Sequence, residues 1–158
     1  KNDYLEEIKM YFQVKDVQQY QQNKEFIDTA IVPLVYLDFA EDKMVKSSSD
    51  VEFLMSLTSF IEQQFKGRLM LIPPFSYTES TRSEQVVPIL KKNIQEGGFK
   101  HVIFITCDHY WTNLQKEVDV IWLPAIPIES MDKDVKKRIL EEQLKQVIPV
   151  LTSKWTQQ

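Results

Sequence analysis

Three consecutive residues, Cys107, Asp108 and His109, are the most reactive group of side chains in this sequence, and they directly follow an apolar run. In an extended chain Cys107 and His109 point to the same side, because alternate residues share a face. A histidine beside a thiol can accept the thiol proton and leave a nucleophilic thiolate. The competing interpretation is that Cys107 packs in the core, because cysteine is among the most frequently buried residue types. The sequence favours packing and keeps the nucleophile as a hypothesis.

Acidic residues follow three apolar segments, at Asp38, Asp108 and Glu129. Carboxylate oxygens suit a magnesium ion, so these residues would form a metal site if the fold gathered them. The plainer interpretation is that they cap turns and helices after strands. We therefore expect no metal and no other cofactor. The candidate catalytic residues are Asp38, Cys107, Asp108 and His109, and the candidate ligand-binding residues are Tyr77 and Glu129.

Two adjacent aromatic residues, Tyr110 and Trp111, lie on a polar connection. Exposed aromatic side chains are frequent hot spots of interfaces, so one interpretation is that this pair binds a protein partner. The other is that the pair folds back over the edge of a sheet. Base stacking is disfavoured, because the net charge is −4, from 19 basic and 23 acidic residues, and no Lys or Arg is interleaved with the aromatics. We expect no nucleic-acid partner.

The composition is typical of a globular domain, with 158 residues, of which 43% are hydrophobic and 27% charged. A single cysteine cannot form an internal disulfide, which fits a reducing compartment. One Cys and two His also exclude an ordinary zinc finger. No segment has the apolar length of a bilayer span, and none has the pattern of a signal peptide. We predict a cytoplasmic protein without membrane insertion, with residues 1–9 as an N-terminal extension and residues 10–158 as one domain.

Glycine is rare, and each of the three, Gly67, Gly97 and Gly98, lies where a helix is expected to stop. We expect positive φ angles there, which glycine adopts most readily. None follows a strand, where the backbone of a phosphate site would have to approach its ligand closely. A P-loop, a dinucleotide fingerprint and a Gly-x-Ser-x-Gly turn are all missing from the sequence. The sequence therefore argues against a standard nucleotide-binding or serine-hydrolase site.

Hydrophobic periodicity predicts strands and helices in alternation. The predicted strands are residues 30–37, 68–72, 101–107 and 118–123. The predicted helices are residues 14–23 and 50–66, a third ending near residue 96, and a long C-terminal helix that Pro149 should kink or split. Capping-box spacings at Ser49–Glu52 and Thr81–Glu84 suggest two helix starts, although the third helix can also begin near Val87. Pro33 argues for a bulge, a strand start or an edge within the first strand.

This alternation predicts an α/β fold, a single-domain three-layer sandwich with helices on both faces of a mostly parallel four-stranded sheet. Right-handed crossovers lead to the strand order 2-1-3-4. Only residues 108–117 link the third and fourth predicted strands, which is short for a parallel crossover. The fourth strand is therefore either antiparallel, in a loose hairpin, or parallel after one helical turn. Ligands of such sheets bind beyond the carboxyl ends of the strands, where most of the candidate residues lie.

Six segments match a pattern typical of one protein family. They are Gln64–Arg68, Trp122–Pro127 and residues 24–34, 73–75, 98–101 and 146–155. Through these segments the chain resembles the YpiF-like family, small uncharacterised proteins of spore-forming Gram-positive bacteria, over about residues 10–155. The resemblance implies no catalytic residues. It implies a link to the menaquinol–cytochrome c reductase, as an accessory in making or regulating that respiratory complex. The Cys107–His109 triplet is not part of the pattern, which further disfavours a thiol nucleophile.

The leading functional prediction is an accessory module that binds a protein partner or a small ligand. The alternative is a small enzyme with its site at the strand ends around Asp38, Cys107, Asp108 and His109. A symmetric homodimer through an apolar strand edge or the C-terminal helix is a third hypothesis. A polar pocket joining the strand-end side chains would favour ligand binding or catalysis. A filled crevice with an exposed aromatic patch would favour an interaction module.

Overall fold

Helices and strands alternate along residues 9–157, the part of the chain that the computed structural model describes. The strands are β1 (Thr29–Tyr36), β2 (Leu69–Leu71), β3 (Phe75–Tyr77), β4 (His101–Thr106) and β5 (Asp119–Trp122). The helices are α1 (Val14–Gln22), α2 (Met44–Gln64), α3 (Val86–Glu96) and α4 (Lys133–Thr156). Two short 3₁₀ helices, Glu79–Thr81 and His109–Leu114, follow β3 and β4. Of the predicted N-terminal extension, only Lys9 lies within the described residues.

The sheet is parallel throughout, with strand order β2-β1-β4-β5, and β3 pairs with β1 on the same side as β2. For the four predicted strands this is the order 2-1-3-4, which confirms that prediction; β3 was not predicted. The fourth predicted strand, β5, is parallel, so the hairpin alternative is wrong. The six residues of the 3₁₀ helix His109–Leu114 make the short crossover feasible. They advance about 12 Å, close to the ~13 Å length of a four-residue strand.

A bulge lies beside Pro33. Ile31 pairs with Leu71 and Leu34 pairs with Phe75, so three steps along β1 match four steps along its neighbour. The carbonyl of Ile31 accepts a 2.9 Å hydrogen bond from the residue after Leu71, so odd-numbered residues of β1 direct their backbone groups to this side. Pro33, which has no N–H, therefore faces the interruption between β2 and β3. The bulge expected from Pro33 is present, but in the neighbouring segment rather than in β1.

Helices cover both faces of the sheet, which confirms the α/β sandwich. The apolar side chains of α2 and α4 pack on one face, among them Phe53, Leu57, Val147 and Leu151. The other face packs against α1, α3 and the second 3₁₀ helix through Tyr20, Val87 and Trp111. β1 is buried along almost its whole length, as its non-alternating sequence predicted. Each fully buried large apolar side chain contributes about 1.5–3 kcal/mol, so these two layers hold the strand ends in place.

Helix α2 begins at Met44, six residues before the predicted start, so the capping box at Ser49–Glu52 is wrong. The backbone N–H groups of Lys43 and Met44 both donate to the carbonyl of Ala40, and this turn starts the helix. Ser47, in the second turn, accepts a 2.9 Å hydrogen bond from the backbone N–H of Asp38. The early start therefore depends on a contact between the helix and the end of β1, which no local spacing reveals.

Helix α3 begins at Val86, which confirms the start near Val87 and not the one at Thr81–Glu84. Thr81 instead accepts a 2.8 Å hydrogen bond from the backbone N–H of Thr78, at the short 3₁₀ helix after β3.

Helix α4 runs unbroken through Pro149, so the predicted split is wrong. Val147 and Leu151, on either side of the proline, are fully buried against the sheet. Their packing offsets the missing hydrogen bond of the proline. None of the helices within residues 9–157 combines the length and the apolar character that crossing a membrane requires.

Two of the three glycines turn the chain as predicted. Gly67 and Gly98 have φ angles of 83° and 108°, whereas Gly97 is helical at −76°, so the expectation of a positive φ at Gly97 is wrong. A Cβ at Gly98 would lie 2.7 Å from the hydroxyl oxygen of Tyr20, which itself donates to the carbonyl of Gly97. The Gly97-Gly98 pair therefore serves the packing of α1 against α3.

Candidate functional site

A cleft of about 240 Å³ opens where the carboxyl ends of β1 and β4 lie side by side. From β1 the chain crosses to β2 on one side, and from β4 it crosses to β5 on the other. The strand order therefore reverses between β1 and β4, and open α/β sheets bind ligands at such a switch point. The polar lining residues of the cleft are Tyr36, Lys46, Asp50, Cys107, Asp108 and His109.

Helix α2 forms one wall of the cleft. The ammonium group of Lys46 lies 2.9 Å from a carboxylate oxygen of Asp50, one helical turn further on. Ser47, between them, holds the helix to the sheet through the backbone N–H of Asp38. The Asp38 carboxylate accepts a 3.1 Å hydrogen bond from the backbone N–H of Ala40, so it caps the turn that leads into α2. Asp38, a candidate catalytic residue, is not among the residues that line the cleft.

Cys107 lines the cleft and is only partly accessible. Burial, together with the nearby charge of Asp50, raises the pKa of the Cys107 thiol to about 12. Within the described residues no hydrogen bond joins this thiol to His109, whose exposed ring instead packs edge-on against Trp122 at 5.1 Å between centroids. The thiol is therefore neutral at physiological pH, which supports the packing interpretation and argues against the nucleophile.

Asp108 uses both carboxylate oxygens within the fold. Oδ2 accepts hydrogen bonds from the Tyr77 hydroxyl at 2.8 Å and from the Arg82 guanidinium at 3.0 Å. Oδ1 accepts a 3.1 Å bond from the backbone N–H of Tyr110, which starts the 3₁₀ helix. The Arg82 guanidinium also lies 4.1 Å from the centre of the Tyr110 ring and 5.4 Å from that of Tyr36. Asp108 thus joins β3, β4 and the segment before α3, and it has little capacity left for proton transfer.

Tyr77 and Trp111 are buried together on the α3 side of the sheet. The indole N–H of Trp111 donates to the Tyr77 hydroxyl, and the two rings meet edge to face at 5.3 Å. Burial raises the pKa of Tyr77 above its ordinary value, so its hydroxyl stays protonated and donates to Asp108. The predicted exposure of Trp111 is wrong, because its indole finds a partner in the core, while Tyr110 is half-buried beneath Arg82. The alternative that these aromatics fold back over the sheet holds for Trp111.

Glu129 lies apart from the other acidic candidates. Its side chain is exposed and accepts a 2.9 Å hydrogen bond from the Ser49 hydroxyl. Its own backbone N–H and then Ser49 lower the pKa of the Glu129 carboxyl. Within residues 9–157 no group of three or more His, Cys, Asp or Glu side chains is placed to hold a metal ion. The hypothesis that Asp38, Asp108 and Glu129 gather around magnesium is therefore wrong, because each is engaged in a different part of the fold.

Comparison with known proteins identifies the family. The family model described as "Protein of unknown function (DUF2487)" matches residues 18–155. The chain belongs to the DUF2487 family. It is also 30% identical over 149 residues to the Bacillus subtilis (strain 168) protein named "Uncharacterized protein YpiF". The aligned region covers 93% of this chain and 99% of that protein. The predicted resemblance to YpiF-like proteins is thus confirmed. No solved structure matches.

Three polar residues at the strand ends of this DUF2487 chain were not predicted: Lys46, Asp50 and Arg82. Lys46 and Asp50 are four residues apart, the spacing of a helical ion pair. This spacing would have predicted the pair if the start of α2 had been placed at Met44. Arg82 has no sequence signal, because its partner Asp108 is 26 residues away in another element.

Proposed function

We propose that this protein is a binding module and that the cleft between α2 and the carboxyl ends of β1 and β4 holds a small polar molecule. The observation that carries the proposal is the position of this cleft at the point where the strand order reverses. Its volume, about 240 Å³, lies below the roughly 300–1,000 Å³ typical of pockets for drug-sized ligands. A ligand of this cleft is therefore small.

The lining suggests the chemistry of that ligand. Lys46 and Asp50 form an ion pair whose side chains are 80% and 34% exposed. Exposed pairs contribute about 0–1 kcal/mol, so either partner can turn to a ligand at little cost. His109 adds an exposed imidazole after β4, and Cys107 and Leu54 add less polar lining. A small molecule with an acidic group for Lys46 or His109 and a hydrogen-bond donor for Asp50 matches this arrangement.

Catalysis at the same place is the less favoured alternative. A nucleophile needs the thiolate form, and the Cys107 thiol is neutral near pH 7. Asp108 is poorly placed to act as a general acid or base, because protein donors hold both of its carboxylate oxygens. These contacts favour a binding role over an enzymatic one.

The test is a thermal-shift screen of the purified chain against a panel of small carboxylic acids and amino acids. A molecule that binds only the folded state raises the midpoint of unfolding, and the stabilisation grows with the logarithm of the ligand concentration relative to its dissociation constant. We expect at least one member to do so, and expect Lys46→Ala and His109→Ala to abolish the shift. Lys92→Ala, exposed on α3, is the control and should retain it. The proposal fails if no member raises the midpoint, or if the shift survives in both cleft variants.

Three further expectations stay predictions. An accessory role beside the menaquinol–cytochrome c reductase would be supported by co-purification of the tagged chain with reductase subunits from its own cells. A cytoplasmic location would be supported by fractionation of those cells. A homodimer would be supported by light scattering of the purified chain at several concentrations.

A further inference from the structure

Large apolar side chains are exposed around the start of α2. Phe39 is 64% exposed, Met44 46% and Val45 80%. They lie within seven consecutive residues, and the N–H of Met44 donates to the carbonyl of Ala40, next to Phe39. We call Phe39, Met44 and Val45 the α2 shoulder. Clustered exposed apolar side chains mark interaction sites more often than isolated ones do.

The α2 shoulder is held rigidly on the sheet. The hydroxyl of Ser47 accepts a 2.9 Å hydrogen bond from the N–H of Asp38 and lies 3.4 Å from the carbonyl of Tyr36, to which it donates. The Asp38 carboxylate in turn accepts from the N–H of Ala40. These bonds tie both ends of the turn to β1. A preformed surface loses less entropy on binding than a flexible one does.

Acidic side chains border the shoulder. Asp38 precedes Phe39, and Glu41 and Asp42, both exposed, precede Met44. The one basic residue between Asp38 and Met44 is Lys43. Lys46 lies further along the helix, and its charge is compensated by Asp50 at 2.9 Å. Acidic borders repel anionic lipids and attract Lys and Arg.

We propose that the α2 shoulder docks a segment of a partner protein whose apolar side chains are flanked by Lys or Arg. The apolar groups of the segment would cover Phe39, Met44 and Val45, and its basic groups would meet Glu41 and Asp42. Amphipathic segments bind other proteins in this way, with apolar anchors for affinity and charges for orientation. This partner site lies outside the residues that line the cleft and does not depend on a ligand there.

The test is fluorescence anisotropy with a labelled synthetic peptide of leucine and lysine at helical spacing. We expect saturable binding that weakens as salt is added. Phe39→Ser combined with Val45→Ser should weaken it at least tenfold, and so should Glu41→Lys combined with Asp42→Lys. Val14→Ser is the matched control, because Val14 is 75% exposed at the start of α1, and it should bind as the unchanged chain does. All of these positions are exposed, and circular dichroism checks that each variant is folded.

Three outcomes would overturn the proposal. One is equal binding by the shoulder variants and the Val14→Ser control. Another is equal binding of a peptide in which glutamate replaces lysine, which would show that charge plays no part. The third is binding of phosphatidylglycerol vesicles that is lost in the Phe39→Ser, Val45→Ser variant, which would assign the surface to a membrane.

Discussion

The hydroxyl of Tyr77 donates a 2.8 Å hydrogen bond to Oδ2 of Asp108, and this bond joins the ends of two strands that do not pair with each other. Tyr77 ends β3 and Asp108 follows β4, and these strands flank β1 on opposite sides. Trp111 donates to the same hydroxyl and Arg82 to the same carboxylate oxygen. Together these four side chains close the carboxyl end of the sheet on its α3 side, and the cleft opens on the α2 side.

Removing the Tyr77 hydroxyl should destabilise the fold. Tyr77→Phe leaves the indole N–H of Trp111 without an acceptor and removes one of the two side-chain donors to Oδ2 of Asp108. Unpaired buried groups of this kind cost about 1–3 kcal/mol each, so we expect a loss of roughly 2–3 kcal/mol in the free energy of unfolding. Equilibrium urea denaturation measures it. Tyr110→Phe is the control, since the Tyr110 hydroxyl makes no hydrogen bond within residues 9–157, and an equal loss there would contradict the interpretation.

Cys107 should react slowly with alkylating reagents. Its pKa of about 12 leaves roughly three-thousandfold less thiolate near neutral pH than an ordinary cysteine, whose pKa is about 8.5. We expect the rate of alkylation by iodoacetamide to rise tenfold per pH unit up to about pH 10, without a plateau. A Ser48→Cys, Cys107→Ser chain carries an exposed thiol on α2 as the reference. A plateau near pH 8 for Cys107 itself would restore the nucleophile hypothesis.

Glu62 should make stability depend on pH. It is fully buried in α2, with Oε1 accepting from the N–H of Met10 at 2.8 Å and Oε2 without a partner among the described residues. Burial raises the pKa of the Glu62 carboxyl, against the opposing effects of the Met10 hydrogen bond and the charge of Lys66. A raised folded-state pKa stabilises the fold below the unfolded pKa, and this contribution is lost as pH rises through the folded pKa.

Glu62→Gln should therefore be more stable than the unchanged chain near pH 7, by on the order of 1 kcal/mol, because it keeps the acceptor for Met10 and removes a buried charge. The advantage should vanish below about pH 4, where the carboxyl is protonated in both states. Urea denaturation across this pH range measures the difference. Glu52→Gln, exposed on the same helix, should change little. A glutamine variant that is less stable than the unchanged chain near pH 7 would show that the charged form is favoured.

Trp155 should anchor the end of α4 to the opposite, amino-terminal end of the sheet. Its indole N–H donates to the hydroxyl of Thr29 at 2.8 Å, and the Arg68 guanidinium lies 4.2 Å from the ring centre. Trp155→Phe keeps an aromatic ring, so it should lose the hydrogen bond, about 1 kcal/mol, and only a small part of the ring packing. Trp155→Ala should also lose the packing against Arg68 and Phe65, about 2–4 kcal/mol in all. Thermal unfolding compares the two, and equal losses would mean that the ring contacts add nothing.

Much of the fold was predictable because it follows from local pattern. The non-alternating first strand indicated a strand covered on both faces, and the alternation of helices with strands led to the observed order. The start of α2 was not predictable in this way. Ser49, which suggested a cap, lies inside the helix and donates to Glu129, whereas Ser47 accepts from the N–H of Asp38 at the end of β1.

The position of the candidate site was also predictable, but the roles of its residues were not. Cys107, Asp108 and His109 do line a cleft at the strand ends. The packing of the 3₁₀ helix decides that His109 faces solvent and that Trp111, two residues later, is buried. Local sequence offers no means to distinguish these two positions, because the crossover lies outside any regular apolar period.

The sequence by itself therefore determined the layers, the order of the predicted strands and the edge at which a ligand site would lie. These properties follow from hydrophobic periodicity and chain connectivity, both of which can be read from the sequence. Only the tertiary structure decided which polar side chains are held by contacts within the fold and which remain available to a ligand. Asp108 meets Tyr77 and Arg82 from distant segments, whereas Lys46 and Asp50 meet each other on one helix beside the cleft. A buried polar group must find a hydrogen-bond partner, and folding chooses that partner from every segment it brings near.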